Sequence, residues 1–95
     1  MLKAQATTEM SSLEDVLCSK TTMKILKTLK RYERLKTSQI ASKVGSSFTL
    51  VASYLRMLEN QSVLTHADFG VRSHIYRFND SPRARALINL LEAWE

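Results

Sequence analysis

The stretch SSFTLVASYLRMLENQSVL, residues 46–64, decides the fold that the sequence predicts. Two serines that can cap a helix come first, and helical periodicity follows to about residue 60. At about 100° per residue, one side of this helix is apolar and comprises Val51, Tyr54, Leu55 and Leu58. The opposite side is small and polar and comprises Thr49, Ser53, Arg56 and Asn60. The apolar side predicts packing on neighbouring helices, and the polar side suits close approach to a partner.

The residues before this stretch predict a tight pair of helices. One helix is expected from about residue 21 to residue 33, and Leu35 can lie in a brief strand after it. Thr37 or Ser38 is the expected N-cap of a two-turn helix, and Gly45 is its expected left-handed end. This helix leads directly into the one that residues 46–64 contain.

The residues after the stretch predict a β-hairpin and a final helix. Strands are expected over residues 63–69 and 74–78, with a turn at Gly70. Ser81 is the expected N-cap of the last helix, and Pro82 is its expected first residue. A helix–turn–helix followed by a hairpin is the winged helix–turn–helix layout. We therefore predict an α+β, mainly α fold, a winged helix–turn–helix with flanking N- and C-terminal helices and a two-stranded wing.

Length and composition favour one small domain. The 95 residues leave room for one core, and 44% of them are hydrophobic. We expect a flexible arm over residues 1–10 and a single winged-helix domain over residues 11–95. Within that domain we expect the recognition helix at about 47–60, the wing at about 63–78 and a dimerisation helix at about 82–94.

The single cysteine, Cys18, excludes an intramolecular disulfide and a Cys-based zinc site. We expect it to be a small buried hydrophobe at the end of the first helix. A redox switch at a dimer interface stays open as an alternative.

Basic residues are concentrated between residues 20 and 45, a segment that contains eight Lys and Arg residues and only one acidic residue, a Glu. With a net charge of +5 and a pI near 9.7, this asymmetry favours double-stranded DNA as the partner. A solvated helix face gives the same pattern. Four of these basic residues form a narrow stripe on the second helix, and this stripe could also bind a further protein partner. They are Lys20, Lys24, Lys27 and Arg31.

No targeting or membrane signal is visible in the sequence. The opening MLKAQATTEM has no apolar run of signal-peptide length, and no window approaches the about 18 apolar residues of a membrane span. We therefore expect no membrane partner and a cytoplasmic, nucleoid-associated location.

The segment from about residue 21 to residue 78 resembles the ArsR-like winged-helix repressors. TTMKILKTLKRYERLKTSQIASKVG is similar to that family's opening helices and turn, VASYLRMLENQSVL to its recognition helix, and SHIYRF to its second wing strand. The resemblance implies a prokaryotic DNA-binding regulator. It does not imply metal sensing, because RLKTSQIASK lacks the paired-cysteine motif of the family's metal sensors and the last helix has no histidine. Ser62 stands where a glycine usually precedes the first wing strand.

The candidate DNA-binding residues lie at helix N-termini, on the recognition helix and at the wing. They are Thr37, Ser38, Ser46, Ser47, Phe48, Thr49, Ser53, Arg56, Arg72 and Ser73. Arg56 suits a guanine edge in the major groove, and Arg72 suits the adjacent minor groove or its phosphates. Three alternatives stay open: the serines only cap helices, Arg56 is solvated or pairs with Glu59 or Asn60, and Phe48 contacts the preceding helix.

An apolar surplus on the terminal helices predicts a homodimer. The candidate interface residues are Leu13, Leu17, Leu87, Leu90, Leu91 and Trp94. They exceed what so small a core needs, and a second copy would cover them. Two recognition helices would then lie about 34 Å apart, one DNA turn, on a pseudo-palindromic site.

We find no convincing catalytic set or phosphate-binding loop, and we predict no enzyme and no cofactor. His66 and His74 lie on opposite wing strands with Asp68 nearby, and they could face each other and bind a metal. Two histidines and one carboxylate on an exposed hairpin are a weak signal, so we assign no metal site.

Three functions remain open. A dimeric transcriptional regulator is favoured. The alternatives are an architectural or DNA-segregation protein of the plasmid-partition kind, which spreads on DNA, and a winged helix used for protein–protein interaction.

Overall fold

The computed structural model describes residues 13–68 and 74–94, and within these residues lie five helices and three strands. In chain order they are α1 (Leu13–Leu17), α2 (Lys20–Tyr32), β1 (Arg34–Lys36), α3 (Thr37–Val44), α4 (Phe48–Asn60), β2 (Leu64–Asp68), β3 (His74–Phe78) and α5 (Pro82–Trp94). The predicted α+β, mainly helical winged-helix class is confirmed. The arm over residues 1–10 and the turn at Gly70 lie outside the described residues.

Serine side chains fix where two of the helices begin. Ser19 Oγ accepts a hydrogen bond from the Thr22 N–H at 3.2 Å, and Ser47 Oγ accepts one from the Leu50 N–H at 3.2 Å. These bonds satisfy N–H groups that have no partner inside the helix. Gly45 follows α3 with φ of 75°, the left-handed end that the sequence predicts.

The expected N-cap of α3 is wrong. Thr37 is the first residue of the helix and Lys36 holds the N-cap position. The Lys36 N–H donates to Gln39 Oε1 at 2.9 Å, so a glutamine three residues on satisfies the helix start in place of a capping hydroxyl. Thr37 instead turns inward and is buried.

One apolar core joins the helix–turn–helix to the sheet. Its fully buried side chains come from α2, α3, α4 and β2; they include Ile25, Leu26, Leu29, Ile40, Val51, Leu55, Leu58 and Leu64. Each contributes about 1.5–3 kcal/mol relative to an exposed position. Leu87 and Leu91 of α5 add to the same cluster, and Tyr54 packs on it half-buried. The predicted apolar side of α4 is therefore the side that faces the core.

The wing is part of a three-stranded antiparallel sheet with the order β1-β3-β2. The predicted brief strand at Leu35 is confirmed, and it lies opposite Tyr76. The two-stranded wing is thus extended by a strand that runs directly into α3. The first wing strand is observed over Leu64–Asp68, inside the predicted 63–69.

The expectation that Cys18 is buried is wrong, because its side chain is exposed. α1 has only five residues and ends at Leu17, so Cys18 falls in the connection to α2. It lies beside Lys20, Lys24 and Lys27 rather than in the core.

Ser62 connects α4 to the first wing strand with φ of 65°. The Ser62 N–H donates to the Glu59 carbonyl at 3.0 Å, and the Val63 N–H donates to the Leu58 carbonyl at 3.0 Å. These bonds hold the backbone in the left-handed region, which costs a non-glycine residue about 1–2 kcal/mol. The position at which the resembling family has glycine thus requires a glycine-like conformation here too.

We expect Ser62→Gly to raise the free energy of unfolding by about 0.5–1 kcal/mol, because glycine adopts this φ without strain. The Ser62 side chain is exposed, and the backbone carbonyl that accepts from Ser81 Oγ is retained. Urea unfolding followed by circular dichroism measures the change. Ser42→Gly is the control: Ser42 is exposed inside α3, and glycine there should destabilise by up to about 1 kcal/mol. Equal losses in both variants would contradict the proposed strain.

Candidate nucleic-acid interface

α4 presents its polar side to solvent because its apolar side is fixed in the core. Val51, Leu55 and Leu58 are each 0% exposed, which sets the rotation of the helix about its axis. The opposite side is exposed, as predicted; it comprises Thr49, Ser53, Arg56 and Asn60. A helix of this width fits the major groove of B-DNA.

The hydroxyl residues at the starts of α3 and α4 differ in their exposure. Ser38 and Ser47 are exposed and Ser46 is half-buried, whereas only 7% of Thr37 is exposed. Thr37 therefore has little surface left for a DNA phosphate. Ser47 already caps α4, so the capping alternative holds for this residue.

A cleft of about 550 Å³ separates α4 from the wing sheet. Phe48, Ala52 and Arg56 line it from α4, and His66 and Tyr76 line it from the strands. Phe48 is 57% exposed, so its ring stands at the edge of this cleft.

The two wing histidines face each other, as the sequence suggested. Their ring centroids are 5.2 Å apart with the planes at 81°. His74 Nδ1 lies 2.6 Å from Asp68 Oδ1, and His66 Nε2 lies 3.4 Å from the same oxygen. On its other side, His66 Nδ1 lies 2.6 Å from Glu59 Oε2. Among the described residues Glu59 thus pairs with His66, and the local pair of Arg56 with Glu59 is not formed.

Burial raises the pKa of the Tyr76 phenol above its ordinary value. The negative charges of Glu59 and Asp68 add to this rise in pKa, while Arg56 opposes it. Tyr76 is therefore protonated at neutral pH, and its side chain lies between the wing sheet and α4.

We expect the Tyr76 phenol to ionise at higher pH in the folded chain than in urea. Since the folded state favours the protonated phenol, Tyr76 contributes stability that is present below the unfolded pKa of about 10 and is lost as the pH rises through the folded pKa. The ¹³Cζ resonance of Tyr76 during an alkaline titration measures both ionisations. Glu59→Gln should lower the folded pKa and leave the unfolded one unchanged. A folded pKa below the unfolded one would contradict this account.

The basic stripe on α2 is exposed as predicted; it comprises Lys20, Lys24, Lys27 and Arg31. Beside it, Lys43 Nζ of α3 lies 4.3 Å from the centroid of the Tyr32 ring, a cation–π contact. This basic surface lies on α2 and α3, not on the polar side of α4.

The candidate dimer residues divide into two groups. Leu87 and Leu91 are buried in this chain's own core, and Leu17 is half-buried against it. Leu13, Leu90 and Trp94 are exposed at 63%, 39% and 82%. Leu13 and Leu90 line an apolar groove of about 440 Å³ between α1 and α5. Leu17 and Leu87 line the same groove, so the first group also has some surface there. Arg72 and Ser73 at the wing tip lie outside the described residues.

A comparison with protein families matches residues 19–65 to a model described as winged helix-turn-helix DNA-binding. The match begins at the N-cap of α2, includes α3 and α4 and ends in β2. Over these residues the chain is similar to the winged helix–turn–helix DNA-binding proteins. This similarity agrees with the prediction that the chain is not an enzyme. No curated protein matches the sequence. None of the described helices has both the length and the apolar character to cross a bilayer.

Solved structures share the fold over nearly the whole chain. The AntR antimony-specific transcriptional repressor is 24% identical, with a TM-score of 0.72 over 99% of this winged-helix chain and 83% of that one. HlyU from Vibrio cholerae N16961 is 19% identical, with a TM-score of 0.74 over 99% of this chain and 97% of its own. The Mb0332 domain from Mycobacterium bovis is 17% identical, with a TM-score of 0.70 over 98% of this chain and 85% of its own. Mb0332 is described as homodimeric and as a possible ArsR-family regulator, which agrees with the resemblance seen in the sequence.

Proposed function

We propose that this winged-helix chain is a dimeric, site-specific regulator of transcription that inserts α4 into the DNA major groove. The observation that carries the proposal is the fixed rotation of α4. Its buried side leaves Thr49, Ser53 and Arg56 exposed on the recognition helix of a DNA-binding family. The short side chains allow the helix backbone to approach base edges closely, and the arginine supplies a bidentate donor.

Charge supports DNA as the partner. The chain carries a net charge of +5, and α4 has no acidic residue in its first turn. The N–H groups at the starts of α3 and α4 lie beside exposed Ser38 and Ser47, where a phosphate is stabilised by the helix dipole. The wing follows α4 directly, and in this proposal its Arg72 and Ser73 contact the adjacent minor groove or backbone.

Exposed apolar residues at the terminal helices support the dimer. A side chain as large as Trp94 is 82% exposed, and Leu13 and Leu90 extend the apolar surface towards the groove between α1 and α5. A second copy related by a two-fold axis would cover this surface. Mb0332, which has the same fold, is described as a homodimer, and AntR is described as a repressor.

We expect selection from random duplexes of about 30 bp to enrich an inverted repeat with half-sites one helical turn apart. Arg56→Ala should relax one position in each half-site and weaken binding by about 1–3 kcal/mol, because a bidentate contact to guanine is lost. Lys24→Ala, on the basic stripe of α2, is the control and should leave the preferred sequence unchanged. Fluorescence anisotropy on the selected duplex measures both variants.

The same selection separates the proposal from its alternatives. Retention without sequence enrichment, falling steeply with salt, would show an architectural or DNA-segregation role carried by phosphate contacts. The exposed stripe on α2 favours this second function to some extent, because it lies away from the polar side of α4. No retention would instead indicate a protein-interaction module. We assign the stripe to DNA backbone, because nothing in the described residues favours a protein partner there.

We expect the double variant Leu90→Glu/Trp94→Glu to be monomeric in sedimentation velocity at concentrations where the unaltered chain is a dimer. Two carboxylates cannot be buried in an apolar interface without a large desolvation cost. Both residues are exposed in the single chain, so the circular-dichroism spectrum should be unchanged. Asn89→Glu, exposed on the same helix, is the control and should remain dimeric. A monomer before any substitution would contradict the dimer.

A further inference from the structure

We propose that His66, Asp68 and His74 form a binding site for a zinc-class divalent metal ion on the wing. The strand register brings the three together. Residues 66 and 68 lie on one face of β2 because strand side chains alternate, and His74 lies directly opposite Asp68 on β3. All three side chains therefore project from the same face of the sheet, with His66 half-buried and the other two exposed.

The distances are close to those of a coordination sphere. One donor atom from each residue lies within 4.8 Å of the other two. His66 Nε2 and Asp68 Oδ1 are 3.4 Å apart. Two ligand atoms that are each about 2.0–2.1 Å from a tetrahedral zinc ion are about 3.3 Å apart, so this pair already has the required separation.

Glu59 fixes the tautomer that a metal needs at His66. A carboxylate only accepts hydrogen bonds, so His66 Nδ1 carries the proton that it donates to Glu59 Oε2 at 2.6 Å. In the neutral ring, His66 Nε2 is then left with a lone pair that faces the Asp68 carboxylate. Two acceptors held towards each other at 3.4 Å favour a cation between them. A carboxylate behind a metal-binding histidine is the usual outer partner in zinc sites.

Metal binding moves one proton from one nitrogen of His74 to the other. His74 Nδ1 now donates to Asp68 Oδ1 at 2.6 Å. When the metal binds His74 Nδ1, the proton of the neutral ring moves to Nε2, and His74 Nδ1 and Asp68 Oδ1 separate by about 0.7 Å, to the ligand spacing of a tetrahedral site. Water completes the coordination, because the side chains of His74 and Asp68 are 52% and 63% exposed.

The donor set selects the class of metal. Two imidazoles and one carboxylate suit Zn²⁺, Co²⁺, Ni²⁺ or Cu²⁺ better than Mg²⁺ or Ca²⁺, which prefer oxygen ligands. Cys18 lies in the connection between α1 and α2 and contributes no thiolate. Glu59 lies on α4, so the site connects the recognition helix to the wing sheet.

Cobalt titration of the metal-free full-length chain near neutral pH tests the site. We expect visible ligand-field bands that saturate at one Co²⁺ per chain, carry no thiolate charge-transfer band and vanish when Zn²⁺ is added. His66→Gln and His74→Gln should each abolish the bands, and Glu59→Gln should weaken affinity about 10–100-fold. Cys18→Ser and Glu14→Gln are controls that should bind as the unaltered chain does.

A second measurement needs no substitution and is independent of DNA binding. Zinc should shift the ¹⁵N resonances of His66 Nε2 and His74 Nδ1 in the unaltered chain, and His66 Nδ1 should keep its proton. Unchanged histidine resonances at saturating zinc would overturn the proposal. Cobalt binding that survives in the double variant His66→Gln/His74→Gln would also overturn it, since the ion would then be held elsewhere.

Discussion

The rest of the structure depends on the burial of one side of α4. Val51, Leu55 and Leu58 lie at successive turns, and none of them has exposed surface. Rotating the helix to expose them would cost about 1.5–3 kcal/mol for each side chain. This cost, more than any polar contact, keeps Thr49, Ser53 and Arg56 towards solvent. The exposed side of α4 is thus set by which residues the core excludes from water.

The sheet register is the second constraint. β1 pairs with β3 through Leu35 and Tyr76, so the strand that leads into α3 is fixed to the wing. A slip of one residue between β2 and β3 would move His74 away from Asp68 and onto the other face. The histidine cluster and the position of the wing relative to α3 therefore rest on the same backbone pairing. Glu59 adds a side-chain link from α4 to this sheet through His66.

The chain separates its polar and apolar surfaces. The polar side of α4 and the basic residues of α2 are suited to a polyanion, while Leu13, Leu90 and Trp94 gather on the terminal helices. α5 also packs Leu87 and Leu91 into the same core that buries the apolar side of α4. In the proposed dimer, the DNA-binding surface and the self-association surface would therefore rest on one core.

The sequence by itself determined the extents of α4, β3 and α5 and the side of α4 that is buried. Those properties depend on residues within about one helical turn of one another, and periodicity and caps such as Ser47 and Ser81 record them directly. Only the tertiary structure decided that Cys18 is exposed, that Lys36 rather than Thr37 caps α3, and that β1 joins the wing. It also decided that the Glu59 carboxylate pairs with His66 and not with Arg56. Each of these outcomes depends on where a helix stops or on which distant strand or side chain it meets. Local sequence patterns do not encode these long-range contacts, because the packing of the whole core determines which elements come together.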